Sequence, residues 1–154
     1  LPPPVIPAPF RALLSDDAHA RFSQLTPADQ RHLIDVATRL SGEGASTDLV
    51  TAGLLHDIGK AVPGTPIRII DRIVYVMLPA AARAWIGNRP STRLTGGIVA
   101  LYHHAEASAD LAAGWGYPER VVWLIRNHER RDLPDAELST LIAADDASDG
   151  MPTQ

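Results

Sequence analysis

Two groups that resist burial, His56 and Asp57, directly follow the apolar run TDLVTAGLL, within the stretch LLHDIGK at 54–60. An imidazole and a carboxylate are tolerated in an interior only when something satisfies them. The chain offers partners of the same chemistry: His19, His32, His103, His104 and His128, with the paired acids Asp145 and Asp146 in AADDAS. All the histidines except His19 fall in apolar, helix-like stretches. There is no cysteine, so the available donors are nitrogen and oxygen, the set that suits zinc, iron or manganese where sulfur is absent. Neighbours on a helix of 3.6 residues per turn diverge by about 100°. His56 and Asp57 can therefore flank one ion, or the carboxylate can bridge two. Taken singly, each residue reads as an ordinary hydrogen-bonded core or surface group. The information lies in the joint pattern.

Helices must bring these residues together. SDDAHARFSQL predicts a helix capped by Ser15 or Asp16. In TPADQRHLIDVATRLSGEG, Thr26 caps, Pro27 takes the first helical position, Asp29 favours the positive end and Gly42 stops the helix. Leu33, Val36, Ala37 and Leu40 form its apolar face. The next helix is expected from about Thr47 to Ile58, with Gly59 as a left-handed terminator. Thr65 and Pro66 open another through IRIIDRIVYVML, broken at Pro79 and ended near Gly87. TRLTGGIVALYHH, AEASADLAAG, PERVVWLIRNHER and PDAELSTLIAADDAS predict four more, the last two started by Pro118 and Pro134. Nothing alternates at period two and no hairpin dipeptide occurs, so the fold class is all-α.

The 154 residues suffice for one domain with a single core. Hydrophobic residues at 45% and charged residues at 21% fit a globular chain. A net charge of −4 leaves no global basic footprint, which excludes sequence-specific nucleic-acid binding as an expectation. No apolar run approaches the roughly 18 residues that span a bilayer, and the start has no basic region followed by an apolar one. A cysteine-free chain suits a reducing cytoplasm. LPPPVIPAP is proline-dense and predicts an extended lead rather than core. Residues 1–14 are thus read as a proline-rich lead or linker, at a trimmed end or inside a longer protein, and 15–150 as the domain.

LLHDIGK resembles the signature of the HD superfamily of metal-dependent phosphohydrolases, in its HDIG branch. Members carry an earlier helix with His, three residues and Val-Ala, which HLIDVA matches through His32. HAEASADLA matches a later histidine element, with His104 at the ligand position and His103 as its neighbour; WLIRNHER supplies His128, and LIAADDAS places Asp145. The elements occur in the family's order over roughly residues 26 to 148. The resemblance implies a helical bundle around one or two divalent metal ions (iron, manganese, magnesium or another transition metal). His32, His56, Asp57 and Asp145 would form a first site. His104 and His128 would complete a second, with Asp57 bridging. Lys60 stands where relatives keep a phosphate- or water-contacting lysine.

The pattern departs from the family in places. Ala105 replaces a usual Pro, Ser108 a usual Gly, and a terminal His pair is reduced to His128 beside Asn127. Gly-Tyr-Pro at 116–118 precedes His128, whereas the HD-GYP subgroup places that tripeptide afterwards. Here it reads as a turn.

Between Lys60 and Arg93 six basic residues face one acid, Asp71. That suits an anionic substrate, with Lys60, Arg68 and Arg72 as candidate phosphate contacts. The expected activity is hydrolysis of a phosphomonoester or phosphodiester, a nucleotide or cyclic dinucleotide, by a metal-activated water; Asp57 and Lys60 would carry the catalysis. Two other classes share the framework: a di-iron oxygenase and a regulatory module that binds nucleotide without turnover. PIRIIDRIVYVMLPAAARAWIG, basic and amphipathic with Tyr75 and Trp85, also admits peripheral membrane contact.

Overall fold

The computed structural model describes residues 2–61 and 67–149, and every regular element among them is helical. In chain order these are α1 (Ala8–Arg11), α2 (Asp16–Phe22), α3 (Pro27–Gly42), α4 (Thr47–Leu55), a short 3-10 turn (Ile58–Lys60), α5 (Ile69–Met77), α6 (Ala80–Gly87), α7 (Gly96–Gly114), α8 (Glu119–Asn127) and α9 (Ala136–Asp149). No helix among the described residues is long and apolar enough to cross a membrane.

Local chemistry explains most boundaries. Hydroxyls of Ser15, Thr26 and Ser46 accept the first free backbone N–H groups of α2, α3 and α4. Asp135, one residue beyond Pro134, does the same for α9 by accepting from Leu138 N at 2.9 Å. Leu33, Val36, Ala37 and Leu40 are all fully buried, as their spacing predicts. They meet Leu54 and Leu55 of α4, Leu124 and Ile125 of α8, and Leu138 and Leu141 of α9 in one core. α3 packs on α4 and α9, and α7 packs on α8 and on the 3-10 turn. α5 and α6 lie against α7.

Several expectations change. The helix begun at Pro27 keeps Gly42 as its last residue, and the left-handed position is Gly44, with φ 73°. α4 stops at Leu55 rather than Ile58, and Gly59 is not left-handed, since Gly44 and Gly116 are the positive-φ glycines among the described residues. Gly59 serves close packing instead: a Cβ there would lie 2.7 Å from both His104 O and Ser108 N. TRLTGGIVALYHH and AEASADLAAG form one continuous helix, α7, because no Pro or left-handed glycine interrupts them. The segment at 67–78 is helical from Ile69; its predicted opening at Thr65 and Pro66 lies outside the described residues. The core also reaches upstream of residue 15, burying Phe10 and Leu14. Gly116, with φ 81°, turns the chain out of α7. The adjacent Tyr117 hydroxyl donates to Leu13 O at 3.0 Å and accepts from Ser15 N at 2.9 Å, pinning this early segment.

Candidate metal centre

The turn after α4 sets the geometry of the centre. His56 is the C-cap of α4, and Asp57 leaves the helix with φ −107° and ψ 7°, a sparsely occupied backbone region frequent at active sites. The two side chains therefore converge rather than splay as on a continuing helix. Ile58 anchors the turn in the core. Gly59 N donates to Ser108 Oγ at 2.8 Å while Ser108 Oγ donates to His104 O at 2.7 Å, locking the turn to α7. Ser108, a departure from the family pattern, thus holds two elements of the centre in register.

Asp57 faces two imidazole pairs with two different oxygens. Its Oδ2 lies 3.6 Å from His56 Nε2 and 3.9 Å from His32 Nε2. Its Oδ1 lies 3.2 Å from His104 Nε2 and 3.8 Å from His128 Nε2. Asp145 closes the first group: its Oδ1 is 2.9 Å from His32 Nε2 and 3.3 Å from His56 Nε2. In the second, His104 Nε2 and His128 Nε2 stand 3.3 Å apart. His32 comes from α3, His104 from α7, His128 from the end of α8 and Asp145 from α9. All six expected ligand candidates thus meet. His103 turns away, its Nε2 2.7 Å from Gly87 O, and Asp146 pairs with Arg131 at the surface.

The rings are pre-oriented. His56, His104 and His128 each set Nδ1 against the carbonyl three residues earlier, on Gly53, Leu101 and Ile125, at 2.9, 2.6 and 2.7 Å. With Nδ1 donating to that carbonyl, Nε2 is the nitrogen turned inward, and its lone pair is the one a metal would take on displacing any proton there. His56 Nε2 is fully buried without a hydrogen-bond partner; Asp145 Oδ1 is near but out of line. A buried unpaired nitrogen costs about 1–3 kcal/mol, which a cation would recover. Donor atoms lie within 4.8 Å of one another in His32–His56–Asp145, in His56–Asp57–His128 and in His104–His128–Glu129. Their nitrogen and oxygen donors, buried apart from half-buried His32 and Asp145 and exposed Glu129, fit a divalent metal.

The charges of the cluster also couple its protons. Burial opposes charge on His56, yet the Asp57 carboxylate, with Asp145 beside it, outweighs burial and raises the pKa to about 9. Burial and the His56 charge push His128 down to about 3. Burial would raise Asp57, but Lys60 and His56 hold it well below the ordinary carboxylate range. Asp145 is lowered despite burial by the His32 and His56 imidazoles that stand against its Oδ1.

A cavity of about 600 Å³ opens over the cluster, lined among others by Lys60, Arg72, Tyr75 and Val76. Lys60 Nζ donates to Asp57 Oδ2. Arg72 reaches the wall through Asp29, donating to both its oxygens at 2.9 and 2.8 Å. Arg68, expected as a phosphate contact, sets its backbone N and guanidinium against Asp71 at the start of α5, outside the cavity lining. Two acids escaped the sequence reading. Glu129 Oε1 is 3.7 Å from His104 Nε2, and Asp149 Oδ1 is 3.3 Å from His32 Nδ1. Glu129 follows His128 directly, and Asp149 lies one helical turn past Asp145; those spacings were the available signals.

The fold and centre define an all-α bundle with a buried imidazole–carboxylate cluster, and comparison with known proteins names the class. The family model of the HD domain matches residues 30–151. The chain therefore belongs to the HD domain family, a superfamily of metal-dependent hydrolases. Comparison with the curated proteins and with the solved structures gives no significant match.

Proposed function

We propose that this chain is an HDIG-type phosphohydrolase that cleaves a phosphomonoester or phosphodiester, a nucleotide or cyclic dinucleotide, in the cytoplasm. His32, His56, Asp57 and Asp145 would hold one divalent ion, and Asp57, His104 and His128 a second. The observation that carries this reading is the division of Asp57, each oxygen turned to a different imidazole pair. Bound ions supply Lewis-acid activation of water and stabilise charge on a phosphoryl group.

The chain's own residues then orient the substrate. Lys60 beside Asp57 offers an ammonium at the cavity floor, where developing negative charge would be steadied. Arg72, fixed by Asp29, presents a cation at the wall. Tyr75 and Val76 supply an apolar face to a substrate that is more than a bare phosphate.

Metal analysis joined to phosphate release from an aryl phosphate tests this. Wild type should carry up to two ions per chain and release phosphate equally with and without oxygen. Asp57→Ala should lose both metal and turnover; retention of both would refute the ligand assignment. Oxygen-dependent turnover would identify an oxygenase instead, and bound metal with no turnover a regulatory module.

A further inference from the structure

Large exposed apolar side chains are concentrated in one stretch of the chain, residues 70–94. Ile70, Ile73, Val76, Met77, Trp85 and Leu94 are all exposed, Val76 by 72% and Met77 by 78%. Among the described residues the other exposed large hydrophobics are Val5 and the marginal Trp123. On α5 the spacing 70, 73, 76 and 77 places four of them on one helical face. Such a face is a continuous apolar strip along α5, and exposed apolar surface of this kind marks an interaction site.

The same segment is the basic part of an acidic chain. Residues 67–95 carry five arginines and one aspartate, in a protein of net charge −4. Arg68 and Arg72 face Asp71 and Asp29. Arg83, Arg89 and Arg93 have no carboxylate partner among the described residues. Arg83 donates to the carbonyls of Leu78 and Val76, and Arg89 lies over the Trp85 ring at 3.8 Å. A second copy docked through the same face would set one basic segment against another, with no free carboxylate on it among the described residues to offset the charge. Aliphatic side chains and a tryptophan flanked by arginines match a surface that is apolar inside and anionic at its rim.

We propose that α5 and α6 form a peripheral docking surface for anionic lipid bilayers. Ile70, Ile73 and Met77 of α5 insert among the acyl chains, Val76 stays at the edge towards the cavity, and Arg83, Arg89 and Arg93 meet lipid phosphates. Val76 belongs both to this face and to the cavity lining, so docking sets the rim of the cavity at the membrane surface.

The test is co-sedimentation of the full chain with extruded vesicles. One set is neutral phosphatidylcholine; the other contains about a third phosphatidylglycerol. The protein should pellet with the anionic set and much less with the neutral one. Binding should fall as salt shortens the Debye length from about 10 Å to about 3 Å. Ile73→Glu with Met77→Glu should abolish pelleting. Arg89→Gln with Arg93→Gln should weaken it roughly 25-fold, about fivefold per arginine. Circular dichroism and thermal melting should show both variants folded. Equal binding to neutral vesicles, absence of binding to either set, or a wild-type dimer dissolved by Ile73→Glu without vesicle binding would each overturn the proposal.

Discussion

Asp149 Oδ1 stands 3.3 Å from His32 Nδ1, giving His32 an acidic partner where the other three clustered histidines use a backbone carbonyl. A carboxylate behind a ligating imidazole fixes its tautomer and raises its basicity. Asp149→Ala should weaken the metal held by His32 about tenfold, read by competition with a chelating dye. The His104 side should keep its affinity.

Glu129 is the counterpart on the other side. It stands within reach of His104 but is half exposed, and apart from it the second group has one acid, Asp57, shared with the first. Glu129→Gln should therefore lower metal stoichiometry from two towards one while sparing the ion nearest Asp145. Elemental analysis after gel filtration measures this; simultaneous loss of both ions would show that the two groups load as one.

Lys60 pairs with Asp57 rather than with a remote acid. Lys60→Ala should leave metal content close to wild type and reduce kcat about 100-fold, the usual consequence of losing one charge-stabilising donor. Unchanged turnover with metal retained would remove Lys60 from the chemistry.

The contact between the 3-10 turn and α7 leaves no room for a side chain at Gly59. In Gly59→Ala the new methyl group would meet backbone atoms, His104 O and Ser108 N, so the neighbours cannot swing aside. The expected cost is about 1–3 kcal/mol in urea unfolding. Ser108→Ala strands the buried Gly59 N–H and should cost about 1–2 kcal/mol. Both should separate Asp57 from His104 and weaken metal binding on that side first.

Protein stripped of metal by a chelator should melt highest close to pH 6.5, the ordinary histidine value. His56, raised to about 9, contributes stability fully below 6.5 and loses it as pH climbs through 9. His128, lowered to about 3, contributes stability above 6.5 and loses it as pH falls towards 3. Below about pH 4 the lowered carboxylates Asp57 and Asp145 steepen the acid limb. Metal loading displaces the His56 proton, so the alkaline limb should flatten. A melting temperature constant from pH 6.5 to 9 in the stripped protein would contradict a protonated His56.

The local rules and the tertiary structure divided the work in a physically intelligible way. Caps at Ser15 and Thr26, the apolar face of α3 and the break at Pro79 are short-range properties, set by hydrogen bonds and sterics within a few residues. They were legible because the causes lie in adjacent letters. The run from TRLTGG to LAAG was misdivided because residue types alone do not show whether a helix continues when neither Pro nor left-handed glycine intervenes. Gly59 was misassigned because its real constraint, the backbone of α7, lies 49 residues away.

The same division applies at the centre. By itself the sequence determined the helical class and the supply of nitrogen and oxygen donors, because residue identity and helical period are written along the chain. Only the tertiary structure decided that His104 and not His103 turns inward, that Arg68 binds Asp71, that Glu129 and Asp149 approach the cluster, and that Asp57 divides its oxygens between two imidazole pairs. Those outcomes depend on which helix faces which, and that is settled by packing α3, α4, α7, α8 and α9 around one core.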